Sequence, residues 1–112
     1  MKSSTVPNGP IVSTLLTEDP SFVDIVTEFV AGLRPRLQQM EAALSRRQLA
    51  DLRRLAHQLK GSGGGYGFDI LTDLGRRLEE ASLHNDPAEC RKTLDELQST
   101  VLRITVPIVQ PA

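Results

Sequence analysis

Little in this sequence advertises redox, metal or membrane chemistry. A single cysteine, Cys90, stands in 112 residues, which excludes an internal disulfide and every multi-cysteine metal site. Cys90 is then expected to serve as a small apolar residue on a helix. No apolar run approaches the ~20 residues that a bilayer span requires, and the opening MKSSTVPNGP lacks the apolar core of a secretory signal. Charge of one sign is missing too: 13 Lys and Arg face 14 Asp and Glu, for a net charge of -1. No global field therefore draws the chain to nucleic acid or an anionic membrane, and a charged partner must read a local patch. Strand signals are also scarce, with no sustained apolar–polar alternation and no Asn-Gly or Asp-Gly pair set between two apolar stretches. The expectation is a cytoplasmic, all-α protein, long enough for one core and too short for two.

What the chain does have is helical periodicity. Residues 1–10 carry two prolines and a glycine and are expected to be flexible; residues 11–112 are read as a single domain. Ile11 to Leu16 can supply a short extra N-terminal helix or cover. Asp19-Pro20 pairs an N-cap with a first-turn proline. Phe22, Ile25, Phe29, Leu33, Leu37, Met40 and Leu44 then recur at steps of three and four, the stripe of a long amphipathic helix. Gly32 and Pro35 predict a kink near Leu33 in one bent helix.

Ser45-x-x-Gln48 reads as a capping box for the next helix, whose inner stripe is Leu49, Leu52, Ala56, Leu59 and Gly63. Phe68, Leu71, Leu74, Leu78 and Ala81 mark a third helix ending near His84-Asn85. Asp86-Pro87-x-Glu89 opens the last, with Leu94, Leu97, Val101, Ile104 and Ile108 inside and Pro107 ending or bending it. Long amphipathic helices joined by short turns predict an antiparallel up-and-down four-helix bundle.

One stretch resists this plain account. AHQLKGSGGGYG, residues 56–67, spends five glycines in the seven residues from Gly61 to Gly67. Each glycine inside a helix costs roughly 1 kcal/mol relative to alanine, while a turn needs only one or two. With Leu52 as the origin of a helical wheel, the apolar stripe falls within roughly 60° and His57 about 140° away, facing water. Arg53, Lys60, Gly61 and Gly64 surround His57 at about 80° to 180°. An exposed imidazole is largely neutral near physiological pH, with one ring nitrogen free as a nucleophile, and Lys60 and Arg53 favour that neutral form by repulsion. If that nitrogen attacks an activated phosphoryl group, Lys60 can neutralise the phosphate oxygens. Gly61 leaves room for the donor, and Gly64 extends the flat approach.

Other chemistries fit less well. The glycines satisfy neither G-x-G-x-x-G nor a Walker A motif, and no strand precedes them. His57 and His84 are 27 residues apart with no cysteine or H-E-x-x-H partner, so no metal site is expected. His84 sits near a helix C-terminus, where an imidazole suits the dipole. Ser62 has no evident acid–base partner. Arg53-Arg54 and Arg76-Arg77 are candidates for a basic rim that would attract an acidic pocket. Taken singly, each of these is also what a solvated helix face looks like.

His57-x-x-Lys60-Gly61, followed by Gly64 and Gly67, resembles the active-helix signature of histidine-containing phosphotransfer (HPt) domains. The likeness is specific over AHQLKGSGGGYGFDILTDLGRRLEEA and looser over the remaining helices. It implies a four-helix bundle that accepts a phosphoryl group from a receiver-domain aspartyl phosphate and passes it to another receiver, without kinase activity of its own. It implies His57 as phosphoacceptor, Lys60 as phosphate stabiliser and Gly61 as clearance residue; Arg53 and Gly64, from their places around His57, are expected in partner docking. Partners would be response-regulator receiver domains and a hybrid sensor kinase. The chain itself would hold no cofactor, the Mg2+ for transfer belonging to the receiver, and would be a monomer. In some relatives a glutamine on the following helix hydrogen-bonds the active histidine. Here Glu79 and Glu80 stand near that place; a carboxylate would hold the ring yet repel the phosphoryl group, and a solvated helix face is expected for both. Two rivals remain: a non-catalytic docking module using the same face, and a detached phosphoacceptor hairpin of a sensor kinase, which four apolar stripes suit poorly.

Overall fold

The computed structural model describes residues 9–107, and every regular element in it is helical. Six α-helices follow in order: α1 (Thr14–Glu18), α2 (Val23–Ala31), α3 (Leu33–Ser45), α4 (Leu49–Gly63), α5 (Asp69–Leu83) and α6 (Pro87–Leu102). Single 3-10 turns occupy Pro20–Phe22 and Gly64–Tyr66. The chain's one extended contact among these residues is a parallel bridge between Ile11 and Ile104. Residues 1–8 of the expected flexible segment, and Ile108 of the last apolar stripe, lie outside the described residues.

The core follows from the stripes. α3 packs on α4 and α6, and α5 packs on the same two, so four helices enclose one apolar centre. Leu33, Met40, Leu52, Leu59, Leu71, Leu78, Leu94 and Leu97 are all essentially inaccessible there, each burial contributing on the order of 1.5–3 kcal/mol. Cys90 is fully buried against Ser82, as expected of a small apolar residue. Leu55, left out of the predicted stripe of α4, is also buried.

Helix ends follow local chemistry. Asp19 caps the turn at Pro20 by accepting from the Ser21 amide at 3.0 Å, and Asp86 caps α6 by accepting from the Glu89 amide at 3.1 Å. α5 closes at His84-Asn85 with Asn85 left-handed (φ 55°), the αL close that asparagine tolerates. The backbone stays near-helical through Gly32 (φ −80°, ψ −9°), so α2 passes into α3 through a single break, where Pro35 has no N–H for the Ala31 carbonyl.

Three expectations fail for physical reasons. The capping box at Ser45 does not form: α3 keeps Ser45, Arg47 turns left-handed (φ 56°), and the Gln48 amide closes back onto the Ala43 carbonyl at 2.9 Å. α6 stops at Leu102 rather than Pro107, because Ile104, Thr105 and Val106 are β-branched and precede a proline, which disfavours helix. Ile104 instead pairs with Ile11, whose amide donates to Arg103 at 2.8 Å. Phe22 and Ile25 are exposed while Val26 takes the inner position. α2 presents Val26 and Phe29 to the core, with Val23 and Val30 partly buried beside them, and the side carrying Phe22 and Ile25 is left to solvent.

α1 earns its place as a clasp on the end of α4. Buried Ser13 caps α1 through the Leu16 amide and donates its hydroxyl to the Tyr66 carbonyl at 2.7 Å. The Thr14 amide donates to the Gly67 carbonyl at 3.0 Å. Beneath it, Tyr66 stacks on Phe29 with centroids 4.4 Å apart and rings 9° from parallel.

Candidate functional site

The stretch that carries the glycines ends α4 as the sequence suggests. α-Helix holds to Gly63, a 3-10 turn covers Gly64–Tyr66, and Gly67 takes a left-handed φ of 90° that releases the chain into α5. The five glycines nonetheless serve different neighbours. A Cβ on Gly63 would lie 2.8 Å from Leu71 Cβ and 3.0 Å from the Thr72 amide, so Gly63 lets α5 approach. A side chain on Gly67 would collide with Ser13 and the amides of Thr14 and Leu15, so Gly67 makes room for α1. Gly64 is half-buried, its amide donating to Thr72 Oγ1 at 2.8 Å, and Thr72 in turn donates to the Lys60 carbonyl at 2.8 Å. Gly61 and Gly65 alone face open space, with nothing within 4 Å of a Cβ.

On the outer face of α4, His57 is 65% exposed and its Nδ1 lies 2.8 Å from Glu79 Oε2. Lys60 Nζ lies 2.7 Å from the other oxygen of the same carboxylate. Glu79 is therefore no solvated surface residue; it is 17% exposed and bridges the two α4 side chains. Glu80 is the one that faces water, 3.9 Å from Arg76. The hydrogen bond from Lys60 holds the Glu79 carboxyl below the usual glutamate range against the opposing effect of burial, and the His57 contact adds to it. An ionised carboxylate only accepts, so Nδ1 must be the nitrogen that carries the proton. In the neutral ring Nε2 then keeps its lone pair, and among the described residues it has no hydrogen-bond partner.

Ala50, Arg53, Arg54, His57 and Glu79 line an open depression of about 340 Å3. Arg53 and Arg54 thus stand beside the imidazole, Arg54 within 3.9 Å of Asp51. Arg77 does not join them. Its guanidinium is held by Glu96 of α6 at 2.7 and 3.2 Å, so the expected rim loses that member. No group of three or more His, Cys, Asp or Glu residues able to hold a metal occurs among the described residues.

Two residues that place the site were not singled out from the sequence. Gly75 lies on α5 where a Cβ would come 2.8 Å from the Lys60 amide and 3.1 Å from the Ala56 carbonyl, so the backbones of α4 and α5 touch there. Its signal was available: a lone glycine inside a helical pattern asks for a packing reason. Thr72 ties the Lys60 carbonyl and the Gly64 amide, and nothing in its spacing announces that.

Fold and site together define a class: an all-helical domain with one oriented imidazole on an open, partly basic face. The sequence profile of the Hpt domain family matches residues 24–104. The chain belongs to the Hpt domain family, the histidine phosphotransfer domains of two-component signalling, which are phosphocarriers and not kinases and whose usual partners are receiver domains. Comparison with curated proteins, and separately with solved structures, finds no match. No helix among the described residues is long and apolar enough to cross a membrane.

Proposed function

We propose that this chain is a phosphorelay carrier in which His57 takes a phosphoryl group from the aspartyl phosphate of one receiver and gives it to another. The observation that carries the reading is the ring itself: Nδ1 is fixed on Glu79 while Nε2 points free from an exposed face. Nε2 attacks phosphorus, the P–O bond to the donor aspartate breaks, and the electron pair leaves on the aspartate carboxylate. Lys60 pairs with the incoming phosphoryl oxygens as a point charge. Gly61, with open space above it, gives the receiver clearance. Arg53 beside the ring contributes to docking an acidic pocket, and Gly64 keeps the end of the helix flat.

The four core helices act as an antiparallel up-and-down bundle with α1 as an extra N-terminal element, and residues 11–112 work as one domain. The carrier has no kinase activity, holds no cofactor, works in the cytoplasm as a monomer, and relies on Mg2+ bound by the receiver. A hybrid sensor kinase is the natural upstream source. Incubation with a phosphorylated receiver should yield an acid-labile, base-stable label on the chain. Its appearance on a His57→Gln variant at the parent rate would remove His57 from the reaction, and binding without labelling would favour a docking module.

A further inference from the structure

The Glu79 carboxylate has a consequence for the phosphorylated state. We infer that Glu79 keeps the proton on Nδ1 of His57 after Nε2 has been phosphorylated, so that the ring remains a good leaving group. This rests on the phosphotransfer reading above and concerns the half of the reaction in which the group is given away.

The bond balance makes the proton matter. When Nε2 forms its bond to phosphorus and the aspartate leaves as carboxylate, the Nδ1 proton has not moved, and the ring is a phosphoimidazolium cation. Loss of that proton gives a neutral phosphoimidazole. In the return step a receiver carboxylate oxygen attacks phosphorus and the N–P electron pair goes back to Nε2. With Nδ1 protonated the ring departs as neutral imidazole. Without the proton it would have to depart as imidazolate, a far stronger base. Whatever holds the Nδ1 proton therefore holds the carrier ready to donate.

The groups facing the ring decide whether the proton stays. From α4 come Arg53 and Arg54 in the shared depression and Lys60 one turn on; from α5 comes Glu79, with the Arg76–Glu80 pair beside it. No charged group of α3 or of the Gly64–Tyr66 turn lines that depression. The two arginines are water-exposed, and their repulsion is screened. Glu79 is mostly shielded and in direct contact at 2.8 Å, so its attraction is the strongest single influence. Lys60 offsets part of it, yet it sits on the other oxygen and is itself drawn away once phosphoryl oxygens arrive. An opposite charge at this range moves a titration by about 1 pH unit or more.

The test uses the full chain carrying His84→Gln, so that one 15N-labelled histidine remains, and potassium phosphoramidate as phosphoryl donor. Nitrogen NMR then follows Nδ1 protonation of the phosphorylated ring from about pH 5.5 to 9, around the range where imidazoles titrate. Expected is a midpoint about 1 pH unit lower in Glu79→Gln than in the parent, and N–P loss at pH 8 about tenfold slower. Lys60→Gln should move the midpoint the other way, a sign reversal that a purely structural role for either residue would not produce. Coincident midpoints in the parent and Glu79→Gln would overturn the inference while leaving His57 as phosphoacceptor. A His57 ring that phosphoramidate never labels would overturn the phosphotransfer reading and the inference with it.

Discussion

Gly61→Ala separates stability from function at this site. The residue lies in the last turn of α4, exposed, with helical backbone and nothing within 4 Å of the position a Cβ would take. Adding a methyl group there meets no neighbour and removes the conformational freedom that glycine loses on folding. In a helix interior that is worth roughly 0.8–1 kcal/mol, and near the end of the helix about half as much. For a chain of this size the gain raises the melting temperature by roughly 2–4 °C, read by circular dichroism. Transfer should move oppositely. The methyl group stands one turn beyond His57 on the face that a receiver would approach in the proposed transfer, and a displacement of about 1 Å at the reacting atoms slows transfer about tenfold or more. A lowered melting temperature would show that Gly61 is not open. A stabilised variant with undiminished transfer would refute clearance as the reason for glycine there.

The other glycines predict the reverse pattern. Gly63→Ala and Gly75→Ala must push α4 from α5, costing about 1–3 kcal/mol from overpacking against a propensity gain of about 1; net destabilisation is expected in urea unfolding, and Gly75→Ala should also slow transfer by moving Lys60. Gly67→Ala combines a left-handed φ with a collision against Ser13, and limited proteolysis should show α1 released first. Thr93→Val removes a fully buried hydroxyl that finds no partner among the described residues, and should be neutral or stabilising by about 1 kcal/mol. Acid should destabilise the fold through Glu41, Glu79 and Glu96, whose carboxyls are held low by hydrogen bonds from Arg91, Lys60 and Arg77. A depressed folded-state value stabilises above the unfolded one and is lost as pH falls through the folded one, so melting temperature should drop below about pH 4, less steeply in Glu41→Gln.

Periodicity reached most of the helical architecture because burial repeats with the helix turn. It reached the outward direction of His57 for the same reason: the stripe from Leu49 to Gly63 fixes where the opposite face lies. It missed what depends on a second helix. Nothing local distinguishes Glu79 from Glu80, since both are acidic residues on a polar surface. Only the approach of α5 to α4 decides that Glu79 reaches His57 and Lys60 while Glu80 stays with Arg76. The capping box failed by a related competition: Ser45 can open one helix or finish another, and the close through Arg47 won. The glycine run was legible as a demand for space, but which neighbour makes the demand is a tertiary fact. Two of the five glycines serve the protein's own α5 and α1, and only Gly61 and Gly65 look outward.

The register between α4 and α5 explains why close packing and the face that carries His57 are one design. Gly63 meets Leu71 and Thr72, Lys60 and Ala56 meet Gly75, and His57 and Lys60 meet Glu79. Numbers rise along α5 as they fall along α4, so this pair runs antiparallel. Gly75 is the pivot: with no side chain, it lets the Lys60 amide and Ala56 carbonyl come against α5. One turn further along α5, a side chain of glutamate's length then arrives at both His57 and Lys60. A larger residue at position 75 would separate the backbones, and a carboxylate at 79 could no longer hold two α4 side chains at 2.8 and 2.7 Å. The orientation of the imidazole is thus set from the side facing α5, by a glycine and a glutamate, while the side facing water is left bare at Gly61, the clearance that the proposed transfer requires.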